Sequence, residues 1–268
     1  MDLFFRQHGQ GKPLVILHGL FGSSDNWQSM ANRFSVDFEV ITPDLRNHGQ
    51  SPHDPDISYE LMAGDLGRLI QSLNLPTLNL IGHSLGGKVA MQYALTYPQK
   101  VEKLVIVDIA PRHYAVGHDQ YVSSLLKLNL DQYKLREDID QTLASDIPEP
   151  VIRQFLMKNL KRNPAGGFSW KLNLISIRDN LQRLGNEITS VSSFGGPSLF
   201  MIGADSDYVS PEDYPGIRKL FPASRISVFA DTGHWIHADN PERFYTEVTE
   251  FINEHHAVGN DTGTGRKG

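Results

Sequence analysis

Residues 78–91 read Leu-Asn-Leu-Ile-Gly-His-Ser-Leu-Gly-Gly-Lys-Val-Ala-Met, an apolar run that meets a serine between glycines and then becomes helix-forming. Gly82-His83-Ser84-Leu85-Gly86 fits the G-x-S-x-G pattern, in which a strand turns sharply into a helix and presents the serine hydroxyl at the corner. Gly82 and Gly86 carry no Cβ, so strand and helix can approach closely around Ser84. The helix N-terminus that follows favours negative charge developing beside it. The five-residue pattern alone is weak, since a chain of this length shows it by chance roughly 0.1 times. A β-type run before it and a helical run after it make the match much stronger.

That corner needs a parallel sheet behind it, and the rest of the chain supplies one. β-type runs occur at residues 14–17, 39–42, 78–81, 103–108, 198–202 and 225–229, with an N-terminal edge strand expected within 2–8. Most are nearly continuous in Val, Ile and Leu, as strands buried on both faces must be. Helical patterns lie between them, the signature of crossover connections. One spans residues 59–73, with Ser58 as N-cap and Leu61, Met62, Leu66, Leu69, Ile70 and Leu73 on one face. Others cover 88–97, stopped by Pro98, and 211–221 and 241–254, each with Pro in its first turn.

The alternation breaks between Arg112 and Gly196. Helical patterns at 119–128, 136–144, 149–161 and 174–184 dominate there, and the stretch reads as a helical insertion between two strands. The expected organisation is a core of residues 1–111 and 197–256, a helical cap at 112–196 and a flexible tail at 257–268.

Composition narrows the chemistry. The 268 residues are 40% hydrophobic and 21% charged, ordinary for a globular protein, with net charge −6 and no basic stripe. That argues against general nucleic-acid binding. With no cysteine, disulfides, thiolate metal sites and a Cys nucleophile are excluded. No segment reaches the roughly 18 apolar residues of a membrane helix, and no basic leader precedes an apolar stretch. The expectation is a cytoplasmic protein that binds neither membrane nor nucleic acid. His255-His256 lacks a third ligand at metal spacing, and no phosphate or dinucleotide loop occurs, so neither metal nor cofactor is expected.

A serine hydroxyl needs a base, and the base needs an orienting acid. His234, in Asp231-Thr232-Gly233-His234-Trp235 after the last strand, is the candidate base. His237 reads as a supporting residue. Two acids satisfy the chain order Ser, acid, His: Asp108 at the end of one strand, and Asp207 in the loop after a later one. Generic spacing slightly favours Asp207. Backbone N–H groups of Leu85 and Leu20 are candidates for the oxyanion hole, with Phe21 the alternative to Leu20. Phe21, Phe155, Trp170, Leu174 and Trp235 are candidate pocket residues. His18 reads as structural, and Asp44 and Arg46 as a pair that fixes their loop.

With these residues assembled, the chain resembles the α/β-hydrolase family over about residues 2–254. It is similar to a branch of small bacterial esterases and acyl-CoA thioesterases with a mitochondrial counterpart in animals. Three stretches carry that likeness: His18-Gly19-Leu20-Phe21-Gly22-Ser23-Ser24-Asp25-Asn26-Trp27, Asp44-Leu45-Arg46-Asn47-His48-Gly49-Gln50-Ser51-Pro52, and Val107-Asp108-Ile109-Ala110-Pro111. The resemblance implies an α/β-hydrolase fold with a mostly parallel central sheet, flanking helices and a helical cap over the pocket. It moves the expected acid from Asp207 to Asp108. It implies a serine hydrolase acting on short-chain carboxylic esters or acyl thioesters such as acyl-CoA. Two alternatives stand beside it. One is a carbon–carbon bond hydrolase or lyase with the same triad, which cationic pocket residues among Arg112, Arg153, Lys158 and Arg178 would favour. The other is a non-hydrolytic ligand receptor.

Overall fold

The computed structural model describes residues 1–115 and 117–254. The tail expected over 257–268 and the His255-His256 pair lie outside the described residues. Nine strands form among them: β1 (Phe5–His8), β2 (Lys12–Leu17), β3 (Phe38–Pro43), β4 (Leu78–His83), β5 (Val101–Val107), β6 (Leu160–Arg162), β7 (Phe168–Trp170), β8 (Ser198–Gly203) and β9 (Ser224–Phe229). The helices are α1 (Gln28–Phe34), α2 (Tyr59–Ser72), α3 (Leu85–Thr96), α4 (Asp119–Leu126), α5 (Arg136–Leu143), α6 (Pro150–Met157), α7 (Leu174–Gly185), α8 (Tyr214–Leu220), α9 (Ile236–Asp239) and α10 (Pro241–Asn253).

Seven strands make one sheet in the order β1-β3-β2-β4-β5-β8-β9. Only the edge strand β1 runs antiparallel to its neighbour; the other pairs are parallel. Alternate side chains of the central strands enter different cores, as the two-residue period of a strand requires. Val15, Leu17, Leu80, Leu104 and Ile106 pack under α2, α3 and α8. Leu14, Ile16, Ile81, Val105 and Val107 pack with Trp27, Phe34, Phe244, Val248 and Phe251 on the α1 and α10 side. Burial on both faces explains why these strands read as unbroken apolar runs. Sheet order places β4 between β2 and β5, so the loops that follow β2, β4, β5, β8 and β9 gather at one edge. Ligands bind at that edge in open α/β sheets.

α2 begins as its sequence directs, with the Ser58 hydroxyl accepting the Leu61 N–H. Met62, Leu66, Leu69 and Ile70 are buried, but Leu61 is 41% exposed and lies off the packed face. No helical pattern was evident for α1 or α9, each of which is short.

The chain between β5 and β8 carries α4 to α7, with one departure from expectation. The helix expected over 149–161 stops at Met157, and β6 and β7 form a two-stranded antiparallel ribbon. Asn159 turns the chain out of the helix. Its amide donates to Leu156 O at 3.1 Å and to Phe21 O at 2.7 Å. Gly166 and Gly167 adopt φ of 97° and 71°, the left-handed values the ribbon's turn needs and other residues resist. No described helix is long and apolar enough to cross a membrane.

Candidate active site

Ser84 lies between β4 and α3 with φ 52° and ψ −118°. This conformation costs a non-glycine residue on the order of 1–3 kcal/mol and persists only where surroundings hold it. Two contacts do so: the Ser84 N–H donates to Val107 O at 3.0 Å, and its carbonyl accepts from Lys88 N–H at 3.1 Å. The flanking glycines are required by space. A Cβ on Gly82 would stand 2.3 Å from Gly86 O, and one on Gly86 would stand 2.5 Å from Leu17 O and His18 O. The Ser84 side chain makes no hydrogen bond to protein among the described residues.

Asp108 follows β5 directly, also at positive φ (50°), with its N–H on Met201 O at 2.8 Å. Its carboxylate is fully buried and takes three donors. Gly203 N–H reaches Oδ1 at 3.0 Å, His234 Nδ1–H reaches Oδ2 at 2.7 Å, and the Ser206 hydroxyl donates to Oδ2. Asp207 is exposed and makes no bond to His234. The loop after β8 thus reaches the buried carboxylate with Ser206 rather than with either neighbouring aspartate. Ser206 and Gly203 were not visible as site residues in the sequence. Only the adjacency of β5 and β8 in the sheet brings them to Asp108.

His234 stands on the loop between β9 and α9. Thr232 Oγ1 donates to Phe229 O at 2.9 Å, and the Gly233 N–H donates to Asp239 at 2.9 Å, which together shape the loop. The ring stacks on Tyr208, centroids 3.9 Å apart at 17°. His83 Nε2–H donates to the His234 carbonyl at 2.8 Å. With Nδ1 held by a carboxylate, Nε2 is the ring atom left to exchange a proton.

The loop after β2 discriminates between the oxyanion candidates. Phe21 N–H donates to His48 Nε2 at 3.3 Å, and His48 Nδ1–H donates to Arg46 O at 2.8 Å. Leu20 N–H has no protein acceptor among the described residues. Leu85 N–H opens α3 and belongs to the donors a helix leaves without an intrahelical partner. His18 ties two loops: its Nδ1–H donates to Gly19 O at 2.8 Å, and Nε2 accepts from Leu45 N–H at 2.9 Å. Burial disfavours the charged form of the imidazoles packed around this site. It lowers His18, holds His83 well below the usual range and pushes His48 and His237 down to about 3.

Asp44 and Arg46 do not pair with each other. Asp44 accepts the N–H groups of Ser24 and Gln50 at 2.6 and 2.8 Å. Arg46 turns the other way, onto Asp65 of α2 at 2.6 Å and Asp56 O at 2.7 Å. Each fixes the loop, from opposite sides.

Ser84 opens onto two cavities. The larger, about 940 Å³, is lined by Leu20, Phe21, Phe155, His234, Trp235 and His237 among others. Phe155 and Trp235 meet across it with ring centroids 5.6 Å apart. His237 stacks on Trp27 at 4.1 Å. The smaller, about 210 Å³, is lined by Leu85, Lys88, Ile109, Tyr114, Leu181 and Leu184, with Asp207 at its border. Trp170 and Leu174, expected in the pocket, line neither cavity. Trp170 lies half-buried on β7, paired with Leu160, and Leu174 is buried in the core at the start of α7. The ribbon that ended the expected helix carries Trp170 away from Ser84. A third depression of about 650 Å³, between β9 and α10, shares no residue with these two.

Lys88 is buried beside Ser84 and was not recognised from the sequence. Its ammonium donates to Arg112 O and Asn186 O, both at 2.6 Å, one carbonyl before α4 and the other just after α7. Burial, then the nearby Arg112, lowers it to about 7. Arg112, Arg153 and Arg178 are ion-paired to Asp213, Asp140 and Asp179 and line neither cavity. Lys158 is exposed and borders the larger one. No group of three or more metal-binding side chains occurs among the described residues.

The family model for the alpha/beta hydrolase fold matches residues 12–241. The chain is 40% identical over 247 residues to the mouse sn-1-specific diacylglycerol lipase ABHD11, covering 89% of this chain and 80% of that one. It is 32% identical over 250 residues to the esterase YbfF of Escherichia coli (strain K12), covering 92% and 95%. Among solved structures, a marine microorganism esterase superposes with a TM-score of 0.92 at 41% identity, covering 94% of this chain and 99% of that one.

Proposed function

The chain belongs to the α/β-hydrolase family and is a hydrolase, and on that premise we propose that it is a serine esterase that cleaves short-chain carboxylic esters and acyl thioesters through an acyl-enzyme. The observation that carries this reading is the 2.7 Å contact between buried Asp108 and His234 Nδ1, with Ser84 in the same cavity at a strained strand–helix corner.

In the proposed mechanism, His234 Nε2 takes the Ser84 proton as Oγ adds to the acyl carbonyl. The oxygen of the tetrahedral intermediate is received by the N–H groups of Leu20 and Leu85. The bond between Phe21 N–H and His48 supports Leu20 over Phe21 in this role. The imidazolium then protonates the departing alkoxide or thiolate. Asp108 stabilises that charge and enforces the tautomer. Water, deprotonated by His234, adds to the acyl-enzyme and releases the acid and Ser84. The missing Ser84 hydrogen bond is compatible with this sequence, because such contacts commonly tighten only when substrate is bound. Arg112, Arg153 and Arg178 are paired with carboxylates and line neither cavity, which leaves Lys158 as the one of the four candidate cations at a cavity border and weakens the case for carbon–carbon bond cleavage.

The test is Ser84→Ala. Hydrolysis of p-nitrophenyl acetate falls by on the order of 10⁴–10⁶ in a variant that still melts cooperatively. A fluorophosphonate probe labels Ser84 in the parent and nothing in the variant. Turnover near the parent's, or a probe adduct on another residue, overturns the assignment.

A further inference from the structure

The two cavities meet at Ser84 but are not equivalent, and the difference lies in His234. His234 borders the larger cavity and not the smaller. Leu85, whose N–H opens α3, borders the smaller and not the larger. Leu20 and Ser84 border both.

Tetrahedral geometry turns this asymmetry into an orientation. When Ser84 Oγ adds to a carbonyl carbon, three further bonds leave that carbon. One goes to the oxyanion, which points to Leu20 and Leu85. One goes to the leaving atom, which must lie within hydrogen-bond reach of His234 to receive its proton. The remaining bond, to the acyl chain, is directed away from His234. The direction open to it is the smaller cavity.

We propose that the cavity walled by Lys88, Ile109, Tyr114, Leu181 and Leu184 holds the acyl group, and that the cavity walled by Phe155, Trp235 and His237 holds the leaving alcohol or thiol. The substrates are then short acyl groups on bulky leaving groups. This rests on the serine-esterase reading and adds which half of the substrate is restricted. At about 210 Å³, and with roughly 30 Å³ for a water-sized group, the acyl side accommodates about seven non-hydrogen atoms. The wall that Lys88 supplies does not yield easily. Lys88 is 1% exposed and bound to two carbonyls, and its ammonium stands 5.5 and 5.0 Å from the ring centres of Tyr59 and Tyr114. The leaving-group side, at about 940 Å³, is more than fourfold larger and mostly apolar.

Two substrate series separate the halves. In p-nitrophenyl esters from acetate to decanoate, kcat/KM should fall by about 10- to 100-fold between hexanoate and decanoate, since overfilling a packed pocket forces its walls out of place. In acetate esters of alcohols from ethanol to naphthylmethanol, kcat/KM should stay level or rise. Leu181→Ala should move the acyl limit to longer chains and leave the order of the alcohols unchanged. Phe155→Ala should reorder the alcohols and leave the acyl limit in place. Long acyl chains accepted while bulky alcohols are refused would overturn the assignment, as would Leu181→Ala acting on the alcohol series alone. If the parent hydrolyses neither series, it is the esterase reading that fails.

Discussion

Asp108→Asn compared with Asp207→Asn tests the centre of the mechanism. The Asp108 carboxylate spends one oxygen on Gly203 N–H and the other on His234 and Ser206. An asparagine has one acceptor oxygen and an NH₂ group that only donates. If its oxygen stays on Gly203, the NH₂ faces His234 Nδ1. The imidazole must then accept at Nδ1 and carry its proton on Nε2, where it can no longer take one from Ser84. If the amide flips, Gly203 N–H is left buried against a donor, which costs about 1–3 kcal/mol. The first arrangement is favoured, and it is the unproductive one. The expected loss in kcat is about 10⁴, or roughly 5 kcal/mol of transition-state stabilisation. Asp207 is exposed at the border of the smaller cavity, so Asp207→Asn should cost less than about tenfold. The assay is p-nitrophenyl acetate hydrolysis under saturating and limiting substrate, with thermal melts to show that both variants fold. A larger loss for Asp207→Asn, or an Asp108→Asn enzyme within tenfold of the parent, would refute the reasoning.

Ser206→Ala removes one donor from Asp108 and should lower kcat about tenfold with KM little changed, because the carboxylate is less firmly oriented; an unchanged kcat would mean that the contact is idle. The protein should lose stability as pH falls below 6.5, since unfolded imidazoles then take protons that buried His48 and His237, held at about 3, refuse. Those two residues alone give a slope of about 2.7 kcal/mol per pH unit between their folded and unfolded values; urea unfolding at pH 7 and pH 5.5 measures it, and equal midpoints would contradict it. Lys88, lowered to about 7 from 10.5, has the same sign of linkage in another window: the unfolded chain binds the extra proton, so stability should rise between pH 7 and 9. Lys88→Met should flatten that rise, while an intact rise in the variant would assign it elsewhere.

Much of this molecule was legible in its residues. A strand buried on both faces must be continuously apolar, so the core strands and their parallel arrangement could be read directly. Ser84 was legible because a serine between glycines at a strand–helix junction leaves few conformations open. The loop of His234 follows the last strand, and chain order alone sends it toward Ser84. What chain order could not decide was which carboxylate His234 would meet. Asp108 and Asp207 both follow strands and both obey the order Ser, acid, His; family likeness, not residue type, had favoured Asp108. In the folded protein the first is buried under three donors and the second is exposed, because β5 lies beside β4 while the loop after β8 turns outward past Ser206. The segment between β5 and β8 was read least well for the same reason. Its helices show an apolar face, but periodicity does not say whether that face meets a core or a cavity. Trp170 and Leu174 face the core and Phe155 faces the cavity. A single side chain, Asn159, reaching Phe21 across the fold, helps to end one helix and begin the ribbon that carries Trp170 away. Contacts between residues distant in sequence made those choices, and local pattern carries no record of them.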